Sequence, residues 1–237
     1  MSGIVPDWPV PENIKAFFSE RYDGYSNGPY ASLNLGSHVG DDAAAVARNR
    51  ASIDVPAEPF WLEQTHSDIC INADMALAGR LGDASFTRKP GKVLAIMVAD
   101  CLPVLFASRG GDVAGIAHAG WRGLADGVLA STVAALGEGS LLAWMGPAIG
   151  PCHYTVGEDV RARFSSGTGF TENRFTDNNE RQFSMDLYAI AKEQLQRLDV
   201  DVYGGGLCTH CDSSRFFSYR RDGVTGRMGG FIWMDSL

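Results

Sequence analysis

Three short apolar runs inside residues 93–127 give the clearest pattern in the chain. Residues 93–99 are apolar without a break, and that length and branched content predict a strand buried on both faces. Asp100 and Cys101 follow at once, which puts a thiol at the mouth of the strand. A second run, residues 104–107, turns at Arg109-Gly110-Gly111-Asp112, and a third, residues 113–117, delivers His118. Gly120-Trp121-Arg122-Gly123 then leads into a helix. Reactive groups gather on loops that leave a rigid sheet, so a Cys and a His at neighbouring strand ends point to an active site.

Weaker patterning fills in the rest. Residues 1–12 carry three prolines and read as an extended lead-in, and residues 15–18 read as a first strand. Asp41 or Asp42 caps a helix from residue 43 to about residue 52. Arg48 and Arg50 lie two apart on that helix and face different directions. Residues 60–62 form a short strand that delivers Gln64-Thr65-His66-Ser67, and residues 69–71 pair with it. Residues 74–92 read as loop, with Asp83-Ala84-Ser85-Phe86 set inside. Leu124, Val128, Leu129, Val133 and Leu136 fall near helical spacing, which predicts one helix over 124–136 that ends at Gly137. Residues 141–145 are another buried strand, and Gly146-Pro147-Ala148-Ile149-Gly150-Pro151 is a forced turn. Residues 158–164 read as helix and residues 165–182 as an exposed polar loop. Ser184 caps the next helix, whose buried stripe is Leu187, Ile190, Ala191, Leu195 and Leu198. Residues 200–203 return as a strand, and residues 204–237 read as an irregular, aromatic, Arg-rich tail. Strands and helices alternate only in part, so an α/β fold with a mixed sheet is expected.

Composition narrows the function classes. The 237 residues, 45% of them hydrophobic, suffice for a large core in one domain spanning the chain. A net charge of −8 argues against a nucleic-acid partner, which needs a basic stripe. The cysteine count is odd, at five, which argues against a disulfide framework, and reduced thiols fit the cytoplasm. The N-terminus lacks the form of a signal peptide. No apolar run nears the ~18 residues of a membrane span, so no membrane partner is expected.

Four groups of residues carry possible chemistry. His66, Cys101 and His118 each follow or end a short apolar strand, so they can converge at one sheet edge. Two imidazoles and a thiolate make a catalytic zinc set with an open fourth position. The same residues could instead form a Cys nucleophile with a His base, or simply a buried thiol and two hydrogen-bonded histidines. Asp100 beside the cysteine would raise the thiol pKa, which disfavours the nucleophile reading. A blue-copper centre needs a similar donor set, but a full multicopper oxidase needs many more histidines than the five present. Gly120-Trp121-Arg122-Gly123 before a helix suits a phosphate or carboxylate, or is only a tight turn. Cys208-Thr209-His210-Cys211 reads best as a buried turn. A structural zinc there would need another ligand pair, for which Cys152 and His153 are conceivable donors. Phe216-Phe217-Ser218-Tyr219-Arg220-Arg221 could stack a base and hold an anion, or pin the tail to the core.

Taken together these stretches resemble one family. Asn34-Leu35-Gly36, Gln64-Thr65-His66-Ser67, Ala99-Asp100-Cys101-Leu102-Pro103-Val104, His118-Ala119-Gly120-Trp121-Arg122-Gly123, the 146–151 turn and residues 216–227 occur in the order seen in the bacterial YfiH-like proteins. That family is also called the multicopper polyphenol oxidase (laccase) or peptidoglycan editing factor family, and the likeness covers residues 30–235. It implies a four-layer α/β/β/α sandwich with mixed β-sheets, and Zn2+ held by His66, Cys101 and His118. It implies purine nucleoside phosphorylase activity on adenosine, inosine and S-methyl-5'-thioadenosine, with adenosine deaminase activity in the same pocket. Arg48 and Asn34 match pocket positions of the family, and zinc and Arg48 are expected to orient phosphate, with Arg122 either joining them or only supporting the turn. A zinc-bound water or Asp100 is the candidate for handling protons. The chain departs from the family pattern at Thr65 and Ser67, where Val and Gly are usual, and at His210. The rival functions are a Cys101–His118 amidohydrolase acting on cell-wall precursors, a non-catalytic metal-binding protein, and a copper-dependent polyphenol oxidase.

Overall fold

The computed structural model describes residues 3–75, 79–165, 175–177 and 182–236. With elements numbered along the chain, a five-stranded sheet runs in the order β1 (Gly3–Ile4), β2 (Ile14–Ser19), β14 (Met228–Met234), β6 (Leu94–Val98), β3 (Phe60–Trp61). A six-stranded sheet runs β13 (Asp201–Gly204), β9 (Leu141–Met145), β7 (Leu102–Ser108), β8 (Ala114–Ala119), β5 (Ala84–Thr87), β4 (Cys70–Asn72). A small third sheet joins β10 (Thr155–Gly157), β12 (Gln182–Met185) and β11 (Phe175–Asp177). The helices are α1 (Ala43–Ala51), α2 (Trp121–Asp126), α3 (Val128–Leu136), α4 (Glu158–Ser165), α5 (Leu187–Arg197) and α6 (Tyr219–Asp222). Both large sheets mix parallel and antiparallel pairs, so the fold is mixed α/β.

Strand alternation divides the core into packed layers. Leu94, Ile96 and Val98 of β6 and Ile232 of β14 meet Leu105 of β7 and Ile116 of β8 in one cluster between the two large sheets. Val104 and Phe106, on the opposite face of β7, pack against Leu124, Leu129 and Leu136 of α2 and α3 and Ile190 and Leu195 of α5. The other face of the five-stranded sheet, with Ala95 and Phe231, is covered by Leu33, Leu35 and Ile53. Leu94, Ile96, Leu105, Ile116 and Ile232 are fully buried. Burial contributes roughly 25 cal/mol per Å² of apolar surface, so these interleaved strands supply most of the driving force.

Several sequence expectations change. Residues 69–71 do not pair with the 60–62 strand. β4 pairs in parallel with β5 in the other sheet, and Ala84-Ser85-Phe86 is not loop but the start of that buried strand, with Asp83 in the bend just before it. The single helix over 124–136 is two helices that meet at Gly127, whose φ of 98° breaks the first one. Ser184 lies in β12, and the cap of α5 is Asp186, which accepts from the Ala189 N–H at 3.0 Å. Leu198 is partly exposed rather than part of the buried stripe. Of the expected 165–182 loop, residues 166–174 and 178–181 lie outside the described residues, while β11 and the start of β12 are paired. Inside the lead-in, Gly3–Ile4 pairs with β2. The largest correction concerns residues 204–237. β14 is flanked by β2 and β6 and is a central strand of the five-stranded sheet.

Phe231 is fully buried and its ring lies 4.8 Å from that of Phe17 on β2. Phe231→Ala is expected to lower unfolding free energy by about 3–5 kcal/mol, read as an earlier midpoint in urea denaturation.

Candidate active site and metal centre

His66, Cys101 and His118 lie together at one end of the space between the two large sheets. Their donor atoms all fall within 4.8 Å of one another. His118 is carried by β8, buried opposite Pro103 on β7. Cys101 stands at the entrance of β7, and the preceding Asp100 has φ 92°, a left-handed turn that redirects the chain out of β6. His66 also has a positive φ, 63°, on the loop after β3. Gln64 fixes that loop by donating to Met97 O and accepting from Met97 N, both at 2.8 Å, as a strand neighbour would. Cys101 Sγ is 3.8 Å from His66 Nε2, and the two imidazoles meet edge to face at 4.8 Å. Gly120 closes over the group. A Cβ there would stand 2.9 Å from His66 Cδ2 and 3.0 Å from Cys101 Sγ, so only glycine fits.

The residue that organises the trio is Asp83, which the sequence reading placed in a loop and gave no role. It has no solvent exposure. Its Oδ1 lies 2.7 Å from His118 Nδ1, and its Oδ2 accepts from Thr65 N at 3.0 Å, Ser67 N at 2.6 Å and Ser67 Oγ at 2.8 Å. One carboxylate thereby holds His118 directly and the His66 loop from both sides. Bonding at Nδ1 leaves Nε2 as the free donor of His118, as in carboxylate–histidine–metal arrangements. The antiparallel register explains how it gets there: Ala84 pairs with Ala117, so Asp83 meets His118, whose N–H donates to Asp83 O at 2.7 Å. Thr65 and Ser67 thus both bond this carboxylate.

The electrostatics favour the ligand form of the thiol. Burial pushes Cys101 up, but the His118 charge and hydrogen bonds from both histidines outweigh burial and bring it down to about 6. Burial pushes His118 down, and Cys101 and Asp83 together raise it to about 9. Burial likewise opposes ionisation of Asp83, yet His118 and Ser67 hold it well below the usual carboxylate range. Metal binding requires the thiolate and neutral imidazoles, so the thiol is already in its ligand form, whereas a bound ion would displace the proton that His118 holds.

The trio opens onto a cleft of about 1070 Å³. Arg50, Arg122 and Arg227 line it, together with His38, Trp61 and Tyr219. Arg50 lies over the Trp61 ring and donates from Nε to Leu35 O at 2.9 Å. Arg227 donates from Nη1 to Thr225 O and Gly226 O. No carboxylate among the described residues lies in ion-pair distance of these three guanidiniums. Burial lowers the His38 pKa, and the nearby Arg227 and Arg50 lower it further; Glu58 and Glu63 also line the cleft.

The remaining expected site residues are placed elsewhere. Arg48 is exposed, 3.9 Å over the Tyr25 ring, and does not line the cleft; Arg50, two residues on and on the other side of the helix, does. Asn34 is buried beneath the cleft, where its Oδ1 accepts from Arg227 N at 2.9 Å. Asp100 turns its carboxylate away from Cys101, accepting from Thr209 Oγ1 and Arg220 N, both at 2.6 Å. Phe216 and Phe217 are core residues, and Arg220 and Arg221 bond backbone carbonyls, so this stretch pins the tail. Cys208 and Cys211 do not form a buried turn; Cys211 is exposed and both meet Cys152 and His153.

Comparison with known proteins places the chain in a family. Residues 15–235 match the family model described as multi-copper polyphenol oxidoreductase laccase. The chain is 43% identical, across 98% of both chains, to a protein of Escherichia coli (strain K12) named purine nucleoside phosphorylase YfiH. It is 44% identical across 98% of both to a purine nucleoside phosphorylase of Pseudomonas aeruginosa. The crystal structure of a Neisseria meningitidis protein superposes with a TM-score of 0.94 at 43% identity, covering all of both chains. That of Bacillus licheniformis YfiH gives 0.85 at 34% identity, over 94% of this chain and 93% of the other.

Asp83→Asn keeps the shape of the side chain but not its charge. It is expected to weaken zinc binding about 10–100-fold, measured by competition with a chromogenic chelator. Ser67→Gly removes one of the five contacts to that carboxylate and is expected to cost less than Asp83→Asn in the same assay.

Proposed function

The chain belongs to the multi-copper polyphenol oxidoreductase laccase family, and from that membership we propose that it is a zinc-dependent purine nucleoside phosphorylase. The substrates in this reading are adenosine, inosine and S-methyl-5'-thioadenosine with inorganic phosphate, and adenosine is deaminated in the same cleft. The observation that carries the reading is the joint placement of a two-His, one-Cys donor set and three guanidiniums without carboxylate partners on one cleft. The donor chemistry fits zinc: three protein ligands within reach of one another, one already thiolate, one fixed by a carboxylate. Zinc supplies a Lewis acid there when bound.

The residues of the chain perform the rest. Phosphorolysis joins a phosphate oxygen to C1′ of the ribose as the bond from C1′ to the purine nitrogen breaks. The purine leaves with that electron pair and takes up a proton. Arg50 and Arg227 hold the phosphate by charge-assisted hydrogen bonds, with Arg122 at the rim. Arg50 is braced by Leu35 O and Trp61, so its orientation is set before substrate arrives. Asn34 serves by fixing the Arg227 backbone, and Asp100 by anchoring the turn into Cys101. Trp61 and Tyr219 offer aromatic faces to the base. Five free cysteines and the absence, among the described residues, of any helix long and apolar enough to cross a membrane fit a cytoplasmic enzyme of small nucleosides.

A second reading has a specific observation in its favour. Cys101, 3.8 Å from His66 and lowered by its histidine neighbours, together with the raised His118, also suits a Cys nucleophile editing a cell-wall amide. That enzyme would work after strong chelation and leave a covalent adduct on Cys101.

Phosphate-dependent release of adenine from adenosine separates the two. Wild type is expected to turn over and to lose activity with chelator. Cys101→Ala is expected to fall at least about 100-fold in kcat/KM. Arg50→Ala is expected to raise KM for phosphate about 10–100-fold. Equal turnover by wild type and Cys101→Ala contradicts the proposal.

A further inference from the structure

Away from the cleft, two loops bring Cys152, His153, Cys208 and Cys211 together. Ala148 and Cys208 pair in parallel, with Ala148 N donating to Leu207 O at 3.2 Å and Thr209 N to Ala148 O at 3.0 Å. The zipped loops place the side chains in a compact group. Cys152 Sγ lies 3.8 Å from Cys208 Sγ and 3.5 Å from Cys211 Sγ. His153 Nδ1 lies 3.3 Å from Cys152 Sγ and 3.3 Å from Cys211 Sγ. All three cysteines are free.

Those separations are the edges of a small tetrahedron. With zinc–sulfur bonds of about 2.3 Å and a zinc–nitrogen bond of about 2.0–2.1 Å, tetrahedral ligands stand about 3.8 Å apart for two sulfurs and about 3.5 Å for sulfur and nitrogen. The observed distances match within a few tenths of an ångström. Gly150 N donates to Cys208 Sγ at 3.2 Å, the kind of N–H contact that steadies a thiolate. The His153 ring is held in place by stacking on His210 at 3.9 Å, with 13° between planes. Three thiols in mutual contact, two of them exposed, are open to oxidation unless something binds them.

We propose that Cys152, His153, Cys208 and Cys211 form a second metal centre, a closed Cys3His site for Zn2+. Four protein donors leave no open position, so this zinc is structural. Its place in the fold gives it work to do. Thr209, between the two cysteines, donates to Asp100 Oδ1 at 2.6 Å, and Arg221 binds Thr209 O and His210 O at 2.8 and 3.1 Å. Ile149 N donates to Asp100 O at 2.9 Å. The centre therefore ties both loops that grip Asp100, the residue immediately before Cys101.

The test uses the full-length protein with Cys101→Ala, which disables the cleft donor set and leaves this one intact. Purified with zinc, it is expected to retain about one zinc per chain. X-ray absorption at the zinc edge is expected to show three sulfur and one nitrogen neighbour. Adding Cys211→Ser is expected to remove that zinc. A measurement on wild type stands apart from any folding defect: zinc protects Cys152, Cys208 and Cys211 from alkylation, and a strong chelator exposes all three. The proposal is overturned if Cys101→Ala holds no zinc, if the neighbours are mostly oxygen or nitrogen, if the three thiols react equally with and without chelator, or if mass spectrometry finds Cys152 disulfide-bonded to Cys211.

Discussion

A carboxylate buried without solvent contact must be compensated by donors, and at Asp83 those donors belong to the candidate site itself. His118 and the backbone and hydroxyl groups either side of His66 all converge on it. Removing any of them leaves a charge uncompensated in a low-dielectric interior, which is costly. The constraint runs both ways. The β5–β8 register delivers Asp83 to His118, and the carboxylate then dictates which His118 nitrogen faces Cys101 and where the His66 loop sits. The lowered thiol and raised imidazole follow from that placement.

The cleft is assembled from distant segments for a comparable reason. Arg50 comes from α1, Arg227 from the run into β14, and Arg122 from α2. Three cations converge without an ion-pair partner because each is braced by neutral groups, among them Leu35 O and Trp61 for Arg50, Thr225 O for Arg227, and the Trp121 ring for Arg122. Neutral bracing leaves these three guanidiniums available to an anionic ligand, whereas a carboxylate partner would occupy them. This cluster lies within a chain of net charge −8, so overall charge says little about the site.

Much of the candidate site was legible in the sequence because His66, Cys101 and His118 each follow or end an apolar run, and strand ends can be read from such runs. Asp83 was not legible. All four residues of β5 are buried, so no alternation marks the strand, and small and polar side chains disguise it as loop. β14 escaped for a related reason: Gly229 and Gly230 interrupt the hydrophobic signal at positions where Phe231 and Leu35 leave little room for a side chain at Gly229. Helical geometry says that Arg48 and Arg50 point apart, but which of them meets the cleft depends on how α1 docks. The Cys-x-x-Cys segment looked like a turn because its partners lie far back in the chain, after β9, and only the paired loops bring them near.

The central claim is that Asp83 holds a two-His, one-Cys set ready for one metal ion at the head of the cleft. Anomalous diffraction at the zinc edge from crystals of the purified protein tests it most directly. The account predicts a peak bonded to His66 Nε2, Cys101 Sγ and His118 Nε2, with the remaining corner facing the cleft. Zinc-loaded crystals with no peak there, or with a fourth protein side chain closing that corner, would contradict it.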